Sequence, residues 1–291
     1  MKKALAIDIG GTKICYCIIC ESGDILSNIE KIKTKKTVKE ILADLEKIIY
    51  RFENEVDIIA IATAGAVSNN NDRVISSTGN LPKGYSDIDF SKLSKKMKVF
   101  VENDANSAAW AEYRLGSAKG KDNSIIVTLG TGVGSGIIVN GRLMKGKNGA
   151  AGEMHFKVYP DKRRKCTCGS YDCWEAYASG NGLKTTAQEI YNVKNITTYD
   201  VINGVKENEQ KALKAFDAWQ NNIIDGCVGL ANIFDPDCIV MSGSMAEFLD
   251  YQKIEDAVNS DICTTPTKIL KAEFDNNSGM IGAALLAFEK G

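Results

Sequence analysis

The chain has 291 residues, 44% of them hydrophobic and 25% charged, which is enough to bury a substantial core and is ordinary for a soluble globular protein. A net charge of -1, with lysines scattered along the chain, excludes the basic surface that binding to nucleic acid or an anionic membrane requires. The sequence has no apolar run of membrane-spanning length, and Asp8 interrupts the apolar start, so we expect a cytoplasmic protein without a signal peptide.

The first part of the chain predicts three strands, a helix and a fourth strand. A glycine turn at 10–13 separates the first two strands. The helix is predicted because apolar residues recur at helical spacing, and the fourth strand because a continuous apolar run suits a strand buried on both faces. These elements are expected at 5–8, 14–19 and 25–29 for the strands, 37–52 for the helix and 56–62 for the fourth strand.

A strand-to-helix junction follows at residues 99–113. The apolar run Val99-Phe100-Val101 predicts a strand, and an alanine-rich segment after Asn103-Asp104 predicts a helix that ends near Gly116. Asp104 therefore stands where a buried strand passes into a helix. It has two interpretations: a helix cap, for which Asp and Asn are preferred, or a carboxylate presented for chemistry.

The second part of the chain repeats the opening pattern of strand, glycine-rich turn and strand. This duplication predicts two similar α/β domains facing each other across a cleft, with boundaries at 1–117 plus 276–291 for the first domain and 118–275 for the second. A loop-rich insert precedes a mostly helical stretch, a short strand and a compact C-terminal helix. These elements are expected at 124–129 and 136–140 for the strands, 149–172 for the insert, 174–234 for the helices, 238–241 for the last strand and 279–287 for the last helix.

Both glycine turns have the composition of phosphate-binding loops. Glycines allow backbone N–H groups to approach an anion, and threonine and lysine side chains add further donors. Neither turn matches the Walker loop or the dinucleotide fingerprint, and glycine hairpins often only turn the chain. We predict nucleotide binding at Gly10, Gly11, Thr12, Lys13, Gly130, Thr131 and Gly132, with Asp8 holding Mg²⁺ through water.

Three of the nine cysteines are clustered with the single histidine, whereas the other six occur in apolar contexts typical of buried thiols in a reducing compartment. Three sulfur atoms and one nitrogen suit tetrahedral zinc. The predicted ligands of this zinc-type loop, 155–175, are His155, Cys166, Cys168 and Cys173. The alternative is that the cysteines are free.

Five motifs, in order along nearly the whole chain, resemble those of the ROK family of bacterial sugar kinases and sugar-responsive repressors. The resemblance implies an actin-like ATPase fold of two ribonuclease-H-like domains, ATP as phosphoryl donor, a hexose as acceptor, and a dimer or tetramer, of which we expect a homodimer. The motifs are Asp8-Ile-Gly-Gly-Thr-Lys13, Glu102-Asn-Asp-Ala-Asn106, Leu129-Gly-Thr-Gly-Val-Gly-Ser-Gly136, Ala150-Ala-Gly-Glu153 and Cys166-Thr-Cys-Gly169 through Cys173-Trp-Glu-Ala176.

The resemblance also implies roles for single residues. Asp104 corresponds to the catalytic base, which agrees with the need of phosphoryl transfer for one carboxylate that takes the hydroxyl proton. Other positions correspond to sugar contacts or lie near the adenosine. The sugar contacts are Gly65, Asn80, Asn103, Glu153, His155 and Glu175, and the adenosine contacts are Gly243 and Ser244, where the family often has a glycine pair.

The histidine departs from the family pattern. Family members read Gly-Glu-x-Gly-His, whereas Gly152-Glu-Met-His-Phe156 places His155 two positions after the glutamate and Phe156 three positions after it. We favour His155 as the fourth zinc ligand because a loop can absorb one residue.

The substrate expectation depends on the segment Ala62-Thr-Ala-Gly65, which replaces the Gly-x-Pro-Gly turn of many family glucokinases, and on Ser107 to Glu112. Both resemble bacterial N-acetylmannosamine kinases. We therefore expect ATP-dependent phosphorylation of the 6-hydroxyl of N-acetylmannosamine, a step of sialic acid catabolism, with glucose or another hexose as the alternative. A repressor is disfavoured because only seven residues precede Asp8, which leaves no room for a DNA-binding domain. A nonenzymatic sugar sensor is the other alternative.

Overall fold

The computed structural model describes residues 1–77 and 81–290, and the chain divides into two compact units. The first unit consists of Met1–Gly120, Gly136–Gly152 and Asn276–Gly291. The second consists of Lys121–Ser135 and Glu153–Asp275.

Both units contain strands and helices. The strands are β1 (Lys3–Ile9), β2 (Lys13–Cys20), β3 (Glu30–Lys33), β4 (Ile58–Thr63), β5 (Ala66–Val67), β6 (Val74–Ser76), β7 (Val99–Asn103), β8 (Ser124–Leu129), β9 (Val133–Val139), β10 (Arg142–Leu143), β11 (Cys238–Ser242) and β12 (Lys268–Lys271). The helices are α1 (Val38–Phe52), α2 (Asp104–Arg114), α3 (Glu175–Ala178), α4 (Gly180–Tyr191), α5 (Thr198–Lys206), α6 (Gln210–Phe234), α7 (Tyr251–Asp261) and α8 (Ser278–Lys290).

The main sheet of the first unit has the strand order β3-β2-β1-β4-β7. β1 is antiparallel to β2 and parallel to β4, which is in turn parallel to β7. Every residue of β4 is buried, as expected for an apolar strand covered on both faces. Because three parallel strands end at the same edge, Asp8 lies level with Ala62, and Thr63 lies level with Asn103.

Helix α8 completes the first unit. It is buried from Ser278 to Ala287 and packs against α2, β1 and β4. A Cβ atom on Gly282 would overlap the carbonyl oxygen of Ser107, so the backbones of α8 and α2 are in direct contact there. The glycine is needed for this close approach.

A second five-stranded sheet has the order β10-β9-β8-β11-β12. β8, β11 and β12 are parallel, with Ser242 level with Thr128. In the helical part of the second unit, the buried indole of Trp219 donates from Nε1 to the carbonyl oxygen of Ala178 at 2.8 Å. The glycine at position 226 of α6 lies against the ring of Trp174, which is also fully buried.

The sequence predicted most elements but misplaced the third strand. The strand expected at 25–29 is wrong: Ile25 and Leu26 are 37% and 44% exposed, and the strand beside β2 is β3, which begins at Glu30, directly after the expected range. The position of β3 depends on Glu30, whose carboxylate accepts hydrogen bonds from Tyr16 Oη and Arg51 Nη1. Hydrophobicity alone does not reveal a strand that polar contacts hold in place.

Crossing a bilayer requires a helix that is both long and apolar. Within residues 1–77 and 81–290, no helix has both properties.

Candidate active site

The first glycine turn connects β1 to β2 in the first unit. Its ends are fixed because Gly10 N donates to Lys13 O at 3.0 Å and Thr34 Oγ1 donates to Gly10 O at 2.6 Å. Between these contacts Gly11, Thr12 and Lys13 are exposed. The turn is therefore rigid at its base and accessible at its tip, as an anion-binding loop must be.

The second glycine turn, between β8 and β9, is supported by its neighbours in the second unit. Gly130 N donates to Gly132 O at 3.0 Å, and Gly130 O accepts from Gly180 N at 2.8 Å. Thr131 at the tip is exposed. A groove of about 290 Å³ beside Thr131 is bordered by Glu175 and by the loop from Arg163 to Thr167.

Gly243 and Ser244 lie next to this second turn. They follow β11, whose end is aligned with that of β8. Gly243 has φ +86°, and a Cβ atom there would lie 2.5 Å from Leu129 O, so this position requires glycine. Ser244 is exposed. The structure thus brings together, within the second unit, the second glycine turn and the residues predicted to contact adenosine.

Asp104 is the first residue of α2, and the capping role belongs to its neighbour. Asn103 Oδ1 accepts from Asn106 N at 3.0 Å, and Asn103 Nδ2 donates to Gly65 O at 2.9 Å. The interpretation of Asp104 as the helix cap is therefore wrong, because Asn103 supplies the capping oxygen. Asp104 is partly exposed, and its Oδ1 accepts from Ala105 N at 2.9 Å.

Asp8 and Asp104 influence each other electrostatically. The pKa of Asp8 is raised to about 7, mainly by burial and then by the negative charge of Asp104, while Lys13 acts in the opposite direction. Tyr85 also belongs to this group: its hydroxyl lies 2.7 Å from Thr63 Oγ1, and burial followed by the charges of Asp104 and Asp8 raises its pKa. Tyr85 was not predicted from the sequence, because its loop contains no pattern that indicates a functional residue.

The zinc-type loop forms a compact cluster in the second unit. One ligand atom from each of His155, Cys166, Cys168 and Cys173 lies within 4.8 Å of the others. His155 Nδ1 is 4.0 Å from Cys166 Sγ, and Cys168 Sγ is 3.6 Å from Cys173 Sγ. One nitrogen and three sulfur atoms at this spacing fit a tetrahedral Zn²⁺ site.

The structure also distinguishes His155 from Phe156. The ring of Phe156 stacks on the ring of Trp174 at a centroid distance of 5.4 Å, and it has no atom that could bind zinc. His155 presents Nδ1 to the cluster, and its Nε2 is 3.2 Å from Glu153 Oε2. A metal-ligating histidine commonly has such a carboxylate at its second nitrogen.

Glu175 connects two parts of the second unit instead of being a solvated surface charge. Its Oε2 accepts from Val133 N at 3.1 Å, and its Oε1 lies 3.4 Å from Cys166 Sγ. A Cβ atom on Gly132 would lie 2.5 Å from Glu175 Oε2. The carboxylate therefore bridges the second glycine turn and the cysteine cluster.

The predicted site residues consequently form one group in each unit. The first unit contains Asp8, Gly10, Gly11, Thr12, Lys13, Gly65, Asn103 and Asp104. The second contains Gly130, Thr131, Gly132, Glu153, His155, Cys166, Cys168, Cys173, Glu175, Gly243 and Ser244. Asn80 lies outside the described residues.

Comparisons with known proteins cover almost the whole chain. The model of the ROK family matches residues 4–290. The glucokinase of Streptomyces coelicolor is 31% identical, over 99% of this chain and 98% of that protein, and the N-acetylmannosamine kinase of Yersinia pestis is 28% identical, over 99% of both. The crystal structure of a ROK family glucokinase from Streptomyces griseus in complex with glucose and AMPPNP is 30% identical, with a TM-score of 0.83 over 99% of both chains.

Proposed function

The chain belongs to the ROK family and is a sugar kinase with the actin-like ATPase fold, and from that premise we propose that it transfers a phosphoryl group from ATP to the 6-hydroxyl of N-acetylmannosamine. The proposal has two parts, the chemistry of transfer and the choice of sugar.

The pair Asp8 and Asp104 is the observation that carries the first part. Asp104 contributes to the raised pKa of Asp8, so the two carboxylates lie close enough to repel each other. Phosphoryl transfer to a hydroxyl uses one carboxylate to accept the proton and another to hold Mg²⁺, directly or through water. Asp104 takes the first role and Asp8 the second. When bound, Mg²⁺ supplies positive charge against the phosphate oxygens.

The two glycine turns hold the nucleotide in this proposal. The exposed tip at Gly11 to Lys13 offers backbone donors, a hydroxyl and an ammonium group, and Thr131 offers a second hydroxyl. Gly243 and Ser244 contact the adenosine. The ATP analogue AMPPNP in the crystal structure of the Streptomyces griseus relative supports ATP as the donor.

The resemblance to the family assigns sugar contacts to residues of each group, and each unit is considered by itself. In the first unit Asn103 and Gly65, which are already hydrogen-bonded to each other, contribute amide and backbone groups. In the second unit Glu153, His155 and Glu175 contribute acceptors. Zn²⁺, when bound by His155 and the three cysteines, orders the loop that carries these residues.

The choice of N-acetylmannosamine depends on the turn after β4. Ala64 and Gly65 give it small side chains and no proline, and Gly65 has φ +98° with Ser76 O too close to admit a Cβ atom. A turn of small residues favours an acceptor with a bulky N-acetyl group. Glucose is the second candidate, because the Streptomyces glucokinases match at 31% and 30% identity.

The decisive experiment measures ADP release with glucose, mannose, N-acetylglucosamine and N-acetylmannosamine, and compares kcat/KM among them. We expect the highest value for N-acetylmannosamine and a 6-phosphate product, identified by phosphorus NMR. A higher kcat/KM for glucose would replace the proposed acceptor. Turnover with none of the four sugars would refute the proposal as a whole.

We further propose that the kinase acts as a homodimer in sialic acid catabolism, as the sequence resemblance implies. Sedimentation velocity would give a mass of twice 31.6 kDa. A monomer at assay concentration would contradict this part alone.

A further inference from the structure

Glu102, at the end of β7, is a buried carboxylate next to the proposed catalytic residues. It is 0% exposed, and its Oε1 accepts from Asn103 N at 3.0 Å and from Asn106 Nδ2 at 3.1 Å. Its Oε2 accepts from Asn71 Nδ2 and from Lys145 Nζ, both at 2.8 Å. Four donors therefore occupy the four acceptor sites that a carboxylate offers.

The bonds to Oε1 span the junction that contains Asp104. One donor is the backbone of Asn103, immediately before Asp104, and the other is the side chain of Asn106, in the first turn of α2. Asn103 is held a second time through Gly65 O. One buried carboxylate thus holds the backbone immediately before Asp104 and the side chain of Asn106 in the helical turn after it.

Lys145 provides the only cationic donor to this carboxylate among the described contacts, and it also organises a loop. Its side chain is 10% exposed, and Nζ donates to Ser68 O at 3.1 Å as well as to Glu102. Its backbone oxygen accepts from Ala151 N at 3.1 Å, which closes the segment 145–151. Asn69 Nδ2 holds the same segment by donating to the carbonyl oxygen of Lys147 at 2.9 Å.

The ion pair is poorly explained by stability alone. Desolvation of two buried charges offsets most of their attraction, so apolar residues of similar volume would give an equally stable fold. The pair instead orients its neighbours, because each charged group makes several hydrogen bonds that an apolar pair could not make. The segment that Lys145 closes ends two residues before Glu153, and β7, which contains Glu102, leads directly into Asp104.

We propose that Lys145 is a positioning residue for phosphoryl transfer: through Glu102 it fixes the backbone around Asp104, and through its own loop it fixes the segment that leads to Glu153. Neither Lys145 nor Glu102 touches the sugar or the nucleotide in this proposal. The inference rests on the proposed function, because it takes Asp104 as the base that receives the hydroxyl proton.

Three variants and one control test the proposal. Lys145→Met keeps the length of the side chain without its charge, and Lys145→Arg keeps the charge. The double variant Lys145→Met/Glu102→Gln leaves no buried charge unpaired. The control is Lys96→Met, which breaks an exposed ion pair of the same unit, Lys96 Nζ to Glu53 Oε1 at 2.6 Å.

A positioning role predicts a split between kcat and KM. Displacing a reacting group by about 1 Å costs on the order of 100-fold in rate, so we expect Lys145→Met to lower kcat by about 30- to 100-fold. The KM for sugar should change by less than about threefold, because the binding groups remain. Lys145→Arg should recover most of kcat, and Lys96→Met should not change it.

The double variant separates positioning from mere stability. Removing both charges should restore the melting temperature towards that of the wild type, because the unpaired carboxylate is gone. If Lys145 positions the site, kcat stays low in this variant. Recovery of kcat together with the melting temperature would overturn the proposal, as would an unchanged kcat in Lys145→Met.

Hydrogen exchange provides a readout that does not depend on kinase activity. In Lys145→Met, amide exchange should become faster in residues 102–106 and in residues 145–151. In the control Lys96→Met, exchange in both segments should stay as in the wild type. Wild-type protein that phosphorylates none of the four sugars would refute the proposed function, whereas unchanged exchange in both segments would refute the anchoring by Lys145. The two failures are therefore distinguishable.

Discussion

Replacing Asp8 with Asn removes a carboxyl group whose ionisation the fold opposes. The pKa of Asp8 is raised from 3.8 to about 7, first by burial and second by Asp104. In the unfolded chain Asp8 loses its proton above about pH 4. The folded chain keeps the proton until about pH 7. The contribution of Asp8 to the free energy of unfolding therefore decreases as the pH rises from about 4 to about 7, and it is constant above pH 7.

The size of the effect follows from the shift. A difference of about 3 pKa units corresponds to about 4 kcal/mol at 1.36 kcal/mol per unit. Asp8 is not completely enclosed, and contact with water reduces this to about 2 kcal/mol. We expect Asp8→Asn to be more stable than the wild type by about that amount at pH 8, and by a smaller amount at pH 5, where the folded carboxyl group is more protonated.

Urea unfolding of both proteins at pH 5 and pH 8, without nucleotide or Mg²⁺, measures this difference. Asp57→Asn, at an exposed position of the same unit, corrects for the general effect of removing one negative charge. An equal stability difference at both pH values would show that Asp8 is not the titrating group and would refute the reasoning.

Three further predictions concern the base, a packing contact and the metal cluster. Asp104→Asn should keep the fold and sugar binding and lower kcat by about 10²- to 10⁴-fold, the usual contribution of a general base, as measured by ADP release; retained turnover would return Asp104 to a structural role. Gly226→Ala should destabilise the protein by about 1–3 kcal/mol in thermal unfolding, because the new methyl group overlaps the indole of Trp174. Elemental analysis should find near-stoichiometric zinc in the wild type and in Phe156→Leu but much less in His155→Gln, and wild-type protein without zinc would contradict the ligand assignment.

Helix α6 offers a matched control for the packing prediction. A Cβ atom on Gly229 meets no neighbour within 4 Å, in contrast to Gly226 one turn earlier. Gly229→Ala should therefore stabilise the helix by up to about 1 kcal/mol through its higher helix propensity. Destabilisation by both substitutions would mean that helix conformation, and not the indole contact, is responsible.

Hydrophobic pattern was sufficient for the buried strands and insufficient at the edges of the sheets. β4 and β8 are apolar runs inside sheets, and the sequence placed both within two residues of their start. β3 and β12 are four-residue strands with lysines at alternate or terminal positions, and their pairing is set by contacts with other elements. A rule based on periodicity has no access to such contacts.

In the candidate site, too, the sequence predicted residues within short motifs but not contacts between residues far apart in the chain. Motif spacing identified Asp104, but only the structure assigns the capping oxygen to Asn103. The partners Glu102 and Lys145 are separated by 43 positions, and no local pattern joins them. One signal was present: a carboxylate directly after the apolar run 99–101 has to be buried with a partner, because an isolated charge there would be too costly.

The position of α8 in the first unit has a consequence for the order in which the protein is made. The helix against which α2, β1 and β4 pack is encoded after the entire second unit. During synthesis the ribosome therefore releases β1, β4 and α2 with one apolar face uncovered, and the first unit reaches its final structure only when Ser278–Lys290 emerges. The unit that begins the chain thus cannot be complete before the C-terminal helix emerges, and until then its uncovered face is a place where a chaperone can bind.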